Sequence, residues 1–148
     1  MTRVAVAGIT TAIAFGAAAT ALAAGQQYNG PAGSAPGAGV EFGTRVTGGH
    51  PVTVRRFEFH NIPAPCAGSA PTAVSDLLAT KTFKVSATRR FGGSATLNGG
   101  KVAVTVSGRL SASYAKAVGT LRVKGSVPGC GKADTGVVKW TAPRVGRG

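Results

Sequence analysis

Lys101-Val102-Ala103-Val104-Thr105-Val106-Ser107 is the stretch that decides the fold. Its valines recur at every second residue, with Lys101, Thr105 and Ser107 opposite them, which is the period of a strand with one buried and one wet face. Asn98-Gly99-Gly100 stands immediately before it, and such a turn between alternating runs signals a hairpin. Working outward, the same period recurs in Leu121, Val123 and Val127 against Thr120, Arg122, Lys124 and Ser126. It recurs again in Val138 and Trp140 against Val137, Lys139 and Thr141. Towards the N-terminus, Val40 and Phe42 alternate with Glu41 and Gly43, and Gly48-Gly49 breaks that run. Val52-Thr53-Val54 follows, then Phe57 and Phe59 between Arg56, Glu58 and His60, with a change of parity at Arg55-Arg56 that predicts a bulge or turn. Phe83 and Val85 share a face within residues 81–86. Only residues 72–80 depart from this, because Val74, Leu77 and Leu78 fall at helical spacing and allow a short helical turn. Short strands punctuated by glycine predict an all-β domain, a single antiparallel β-sandwich or flattened barrel.

The remainder of the 148 residues frames this body. Residues 1–23 read as a signal peptide: Arg3 gives the positive start, residues 4–22 are uncharged and Ala-rich, and Ala21-Leu22-Ala23 suits cleavage. The alternative, a retained membrane anchor, is disfavoured because few residues of that stretch are bulky and apolar. Residues 24–39 are Gly, Pro, Ala, Ser and Gln with one Tyr and one Asn, and read as a flexible linker. The β-sandwich domain is placed at 40–143, about a hundred residues, the usual size of one sandwich. Residues 144–148 form a basic tail. The expected location is extracellular, with no membrane span after cleavage.

Cys66 and Cys130 are the two cysteines. In an exported chain, far apart and without Cys-x-x-Cys spacing, they read as one structural disulfide rather than a metal or redox pair. Trp140, ten residues beyond Cys130, points inward in its strand pattern and is expected near that bridge. Immunoglobulin domains run Cys, Trp, Cys, and this order differs.

Catalytic chemistry finds little material. There are four carboxylates and two histidines, and Gly92-Gly93-Ser94-Ala95-Thr96 lacks the second glycine of a nucleophile elbow. His60 should face solvent on a strand and His50 sits in a Gly-Gly-His-Pro loop. Glu41 and Glu58 could be cross-strand neighbours, but nothing in the pattern marks either as the acid of a glycosidase. Asp134, before Thr135-Gly136, reads as a turn former. The run 125–132 fails as a phosphate loop on spacing and on Ala133 where Ser or Thr belongs. The expectation is a non-enzyme with no cofactor and no metal.

Charge is what remains: 17 Lys plus Arg against 4 Asp plus Glu, a formal charge of +13. Alternation places Lys84, Lys101, Arg122, Lys124 and Lys139 outward, so part of this is a solvated surface. The surplus still draws anions at long range, more weakly as salt rises. Candidate anion-binding residues are the basic pairs Arg55, Arg56, Arg89, Arg90, Arg122 and Lys124, with anionic envelope polymers or polysaccharides as expected partners. Specific nucleic-acid binding is not expected, since aromatics do not interleave with these pairs. A carbohydrate- or small-ligand-binding module is the alternative, with Tyr114 its best aromatic, and a secreted hydrolase comes third.

Two segments also carry a family likeness. Val54-Arg55-Arg56-Phe57-Glu58-Phe59-His60-Asn61-Ile62-Pro63 with Cys66, and Gly119-Thr120-Leu121-Arg122-Val123 followed by Gly129-Cys130 and Asp134-Thr135-Gly136-Val137-Val138-Lys139-Trp140, resemble small secreted actinobacterial β-sandwich proteins. Some of those have a further Cys before the Asp-Thr-Gly, where this chain has Ala133. The resemblance implies a disulfide-linked sandwich and no particular activity.

Overall fold

A computed structural model describes residues 25–146; the signal-peptide reading lies outside the described residues, as does the end of the basic tail. Nine strands follow one another: β1 (Gln27–Pro31), β2 (Gly39–Thr47), β3 (His50–Cys66), β4 (Ser69–Lys84), β5 (Arg90–Leu97), β6 (Val102–Leu110), β7 (Lys116–Val127), β8 (Gly131–Asp134) and β9 (Val138–Gly146). All pairings are antiparallel, in the order β4-β3-β2-β1-β9-β7-β6-β5. The alternation read from residues 102–107 holds: β6 buries Val102, Val104, Val106 and Leu110, with exposed Ala103, Thr105, Ser107 and Arg109 between them.

The sheet folds over on itself. Phe42 on β2 and Phe91 on β5, far apart in strand order, bring their rings to 5.6 Å. Phe57 and Trp140 join them, with Trp140 at 5.8 Å from Phe42, 5.9 Å from Phe57 and 6.2 Å from Phe91. These tilted and edge-on ring pairs each add about 0.5–1.5 kcal/mol beyond the burial of their area. The few aromatics are therefore concentrated where the two halves meet. β8 closes one end by pairing with β7 and, through Ala133 opposite Cys66, with β3. The Cys66–Cys130 disulfide lies at that same end, its Cα atoms 5.2 Å apart. The result is a flattened barrel with no ladder between β4 and β5.

Glycine makes the ring cluster possible. Gly119 on β7 faces Trp140, and a Cβ there would lie 2.4 Å from the indole and 1.9 Å from the Ser107 carbonyl oxygen. Its partner across the ladder, Gly108, would drive a Cβ to 2.3 Å from the Phe91 ring. Both rings thus reach into space that any side chain at these two positions would occupy.

Several expectations are corrected. Residues 24–39 are not a linker as a whole, because β1 runs through the middle of the sheet between β2 and β9 and Tyr28 is fully buried. That placement also makes β2 an interior strand, between β1 and β3. Residues 72–80 are extended within β4 rather than helical; Val74 and Leu78, four residues apart, share the inward face of a strand as readily as that of a helix, and Leu77 between them is only half-buried. β9 continues to Gly146, so the domain does not stop at residue 143. Trp140 is inward but far from the disulfide. Its partner Gly119 stands eight residues along β7 from Val127, beside Cys130, about 26 Å at strand rise. The parity change at Arg55-Arg56 is a bulge, with Arg56 at φ 53°, and Gly48-Gly49 is the two-residue turn of the β2–β3 hairpin.

Candidate anion-binding face

Strand register decides which cations become neighbours. In β7 the inward residues are Ala117, Leu121 and Val123, so Lys116, Val118, Thr120, Arg122 and Lys124 face out. The β5–β6 and β6–β7 ladders then set Arg90 opposite Arg109, and Arg109 opposite Val118. Further along, Lys139 of β9 stands opposite Thr120, and Lys132 of β8 opposite Ser126. Lys101, at the turn before β6, lines one concavity of about 500 Å³ with Lys124 and Lys132. The outer face of β5, β6, β7, β8 and β9 is therefore cationic along its length. From Lys116 to Lys124 it extends about 26 Å at strand rise.

One carboxylate interrupts this face, and it is already engaged. Arg122 Nε donates to Asp134 Oδ1 at 3.0 Å and its Nη2 to Oδ2 at 2.7 Å, a two-pronged pair. Asp134 Oδ1 also accepts the Gly136 amide at 2.9 Å. Arg122 above all, and then that amide, hold the Asp134 carboxyl well below the usual carboxylate range, while the same bond pushes the Arg122 guanidinium up. Next to it, the Thr135 hydroxyl accepts the Val123 amide at 2.9 Å and the Thr135 amide donates to the Val123 carbonyl at 3.0 Å. Asp134-Thr135-Gly136 is thus a tie from the end of β8 to β7 and, as expected, a turn former.

The other three acids lie elsewhere. Glu41 of β2 stands opposite Glu58 of β3, and Asp76 is on β4. Arg55 and Arg56 line a concavity of about 250 Å³ together with Glu41 and Glu58, so two of the candidate anion-binding residues sit among carboxylates.

The candidate set is therefore divided. Arg90, Arg122 and Lys124 share the cationic face; Arg55 and Arg56 are on the other half. Arg89 is half-buried at the turn into β5, its Nε donating to the Leu110 carbonyl at 3.2 Å. Arg109, Lys116 and Lys132 were absent from that set, and their signal was available. Each stands at an outward position of a strand, but basic pairs close in sequence do not reveal them, because a sheet face is assembled across strands.

The His50 ring contacts the Gly48 carbonyl at 3.2 Å, and His60 packs beside Gly39 on β2. Among the described residues no three His, Cys, Asp or Glu side chains gather as metal ligands, and no helix is long and apolar enough to cross a membrane. Tyr28, Trp140 and every described phenylalanine are buried, and Tyr114 is half-buried. No protein family, curated protein or solved structure matches the chain.

Proposed function

We propose that this chain is a secreted, non-enzymatic β protein that binds extended anionic polymers of the cell envelope or extracellular matrix through the outer face of β5–β9. One observation carries the reading: Arg90 lies directly opposite Arg109, with no carboxylate in that row of the face. Like charges directly opposite one another destabilise a sheet, and an anionic ligand converts that repulsion into binding. The separation of Glu41, Glu58 and Asp76 onto the other half supports it, because mixed charge would have served solubility as well. The disulfide, the export-type N-terminal stretch and the resemblance to secreted actinobacterial sandwich proteins agree with an extracellular setting.

The test is a pull-down of the purified protein on cell-wall material and on acidic polysaccharides across a salt series. Retention at low salt that falls steadily as salt rises is expected, since the attraction is screened. No retention at low salt overturns the reading.

A further inference from the structure

The cationic face is not uniform, and its β6–β7 end has the form of a pocket. Arg89, Arg109 and Lys116 line a concavity of about 170 Å³ with Leu110, Ser111 and Val118, and no carboxylate lines it. Arg89 is fixed there by its backbone as well as its side chain. It adopts the left-handed conformation at φ 64°, which a non-glycine residue takes at a cost, and such outliers concentrate at functional sites. Its amide donates to the Ser86 carbonyl at 2.9 Å, its carbonyl accepts the Leu110 amide at 2.9 Å, and its Nε returns to the Leu110 carbonyl at 3.2 Å. With Nε held, the guanidinium's terminal amino groups are the donors left for a ligand. Lys116 is held on the facing wall, its amide donating to Ser111 Oγ at 3.3 Å and its carbonyl accepting the Ser111 amide at 2.9 Å. Val118, 43% exposed, stands beside Arg109 and presents an apolar surface between the charges.

We infer that this pocket is the anchoring subsite of the polyanion face and takes a tetrahedral oxyanion, a sulfate ester or phosphodiester, pendant on the polymer, while the carbon skeleton rests on Val118. The inference depends on the proposed function and sharpens it. Three donors reach in from Arg89, from Arg109 across the hairpin and from Lys116 at the next strand, an arrangement that suits oxygens pointing in several directions better than a planar carboxylate, which one bidentate arginine satisfies.

The experiment measures binding of the full chain to dextran sulfate, to polyphosphate and to polygalacturonate of matched charge density, over a salt series. Two double variants remove the same charge from opposite ends of the face: Arg109→Gln with Lys116→Gln, and Lys124→Gln with Lys132→Gln. All four side chains are exposed, so both variants should fold. Each should flatten the salt dependence by roughly the two cations lost. The first pair should weaken binding to the sulfated or the phosphorylated polymer about tenfold or more, and the second by less than about threefold, as loss of general field alone would do. Whichever of the two tetrahedral polymers binds more tightly identifies the source of the oxyanion. Equal losses from the two pairs overturn the pocket and leave the face standing. Tighter binding of polygalacturonate than of either tetrahedral polymer overturns the choice of ligand group. No binding of any polymer by the unmodified protein overturns the proposed function itself.

Discussion

Tyr28 lies in the most glycine- and proline-rich part of the described chain, yet it is fully buried, its ring stacked on Phe42 at 5.0 Å. Its hydroxyl lies 2.8 Å from both Gln26 Oε1 and the Tyr114 carbonyl oxygen. Burial pushes the phenol up to about 12; Arg144 opposes this and Tyr114 adds to it. The direction sets the sign of the pH dependence. The folded state holds the proton more tightly than the unfolded chain, so the contribution to stability is whole below the unfolded value near 10 and declines as pH rises from there towards 12. Urea midpoints measured from pH 8 to 11.5 should therefore fall above pH 10. Tyr28→Phe should cost about 1–3 kcal/mol at neutral pH, because it removes the hydrogen bond that the single O–H donates and leaves a half-buried acceptor unpaired, and its alkaline decline should be shallower. An identical alkaline slope in the variant would show that some other group drives it.

At the scale of elements, legibility followed the side chains. β6, β7 and β9 could be read because each alternates apolar and polar residues over one buried face. β1 could not, since Tyr28 is its only large apolar residue and its place is secured by backbone ladders on both sides. Gly30 belongs to that arrangement: a Cβ there would lie 1.9 Å from the Thr141 carbonyl oxygen. β4 misled for another reason: Val74 and Leu78, four residues apart, share one face in a strand as well as in a helix, and the adjacent Leu77 completed a helical pattern. The candidate site was half legible, because alternation showed which cations face out while the register that groups them depends on long-range pairing. The same pairing explains what the disulfide does. β8 is four residues long and holds β3 through one Cα pair, Cys66 with Ala133, so the bond beside it is the firm connection at that end. Cys66→Ala with Cys130→Ala should lower unfolding stability by about 4 kcal/mol on the chain-entropy estimate for a long loop. Urea titration of that variant against the oxidised protein checks it, and a difference under about 1 kcal/mol would mean that β8 closes the barrel unaided.

For the whole molecule the distribution of charge matters more than its total. Among the described residues the charges fall on two unlike surfaces, one where Glu41 and Glu58 share a concavity with Arg55 and Arg56, and one where Asp134 alone interrupts a run of cations. That makes Asp134 the most informative residue for separating stability from binding. Because Arg122 holds its carboxyl well below the ordinary range, the stabilising pair is fully present above the unfolded carboxylate value near 4 and is lost as pH falls below it. Asp134→Asn keeps an oxygen that can accept the Gly136 amide but releases Arg122 from its partner. The variant should be less stable at pH 7, and its midpoint should decline less between pH 5 and 2 than that of the unmodified protein. Its effect on binding should have the opposite sign. With Arg122 added to the middle of the cationic face, affinity for a polyanion at low salt should rise several-fold and the salt dependence should steepen by about one cation. Weaker binding in a variant that remains folded would mean that Asp134 positions Arg122 for the ligand instead of competing with it, and that the Arg122–Asp134 pair forms part of the recognition surface.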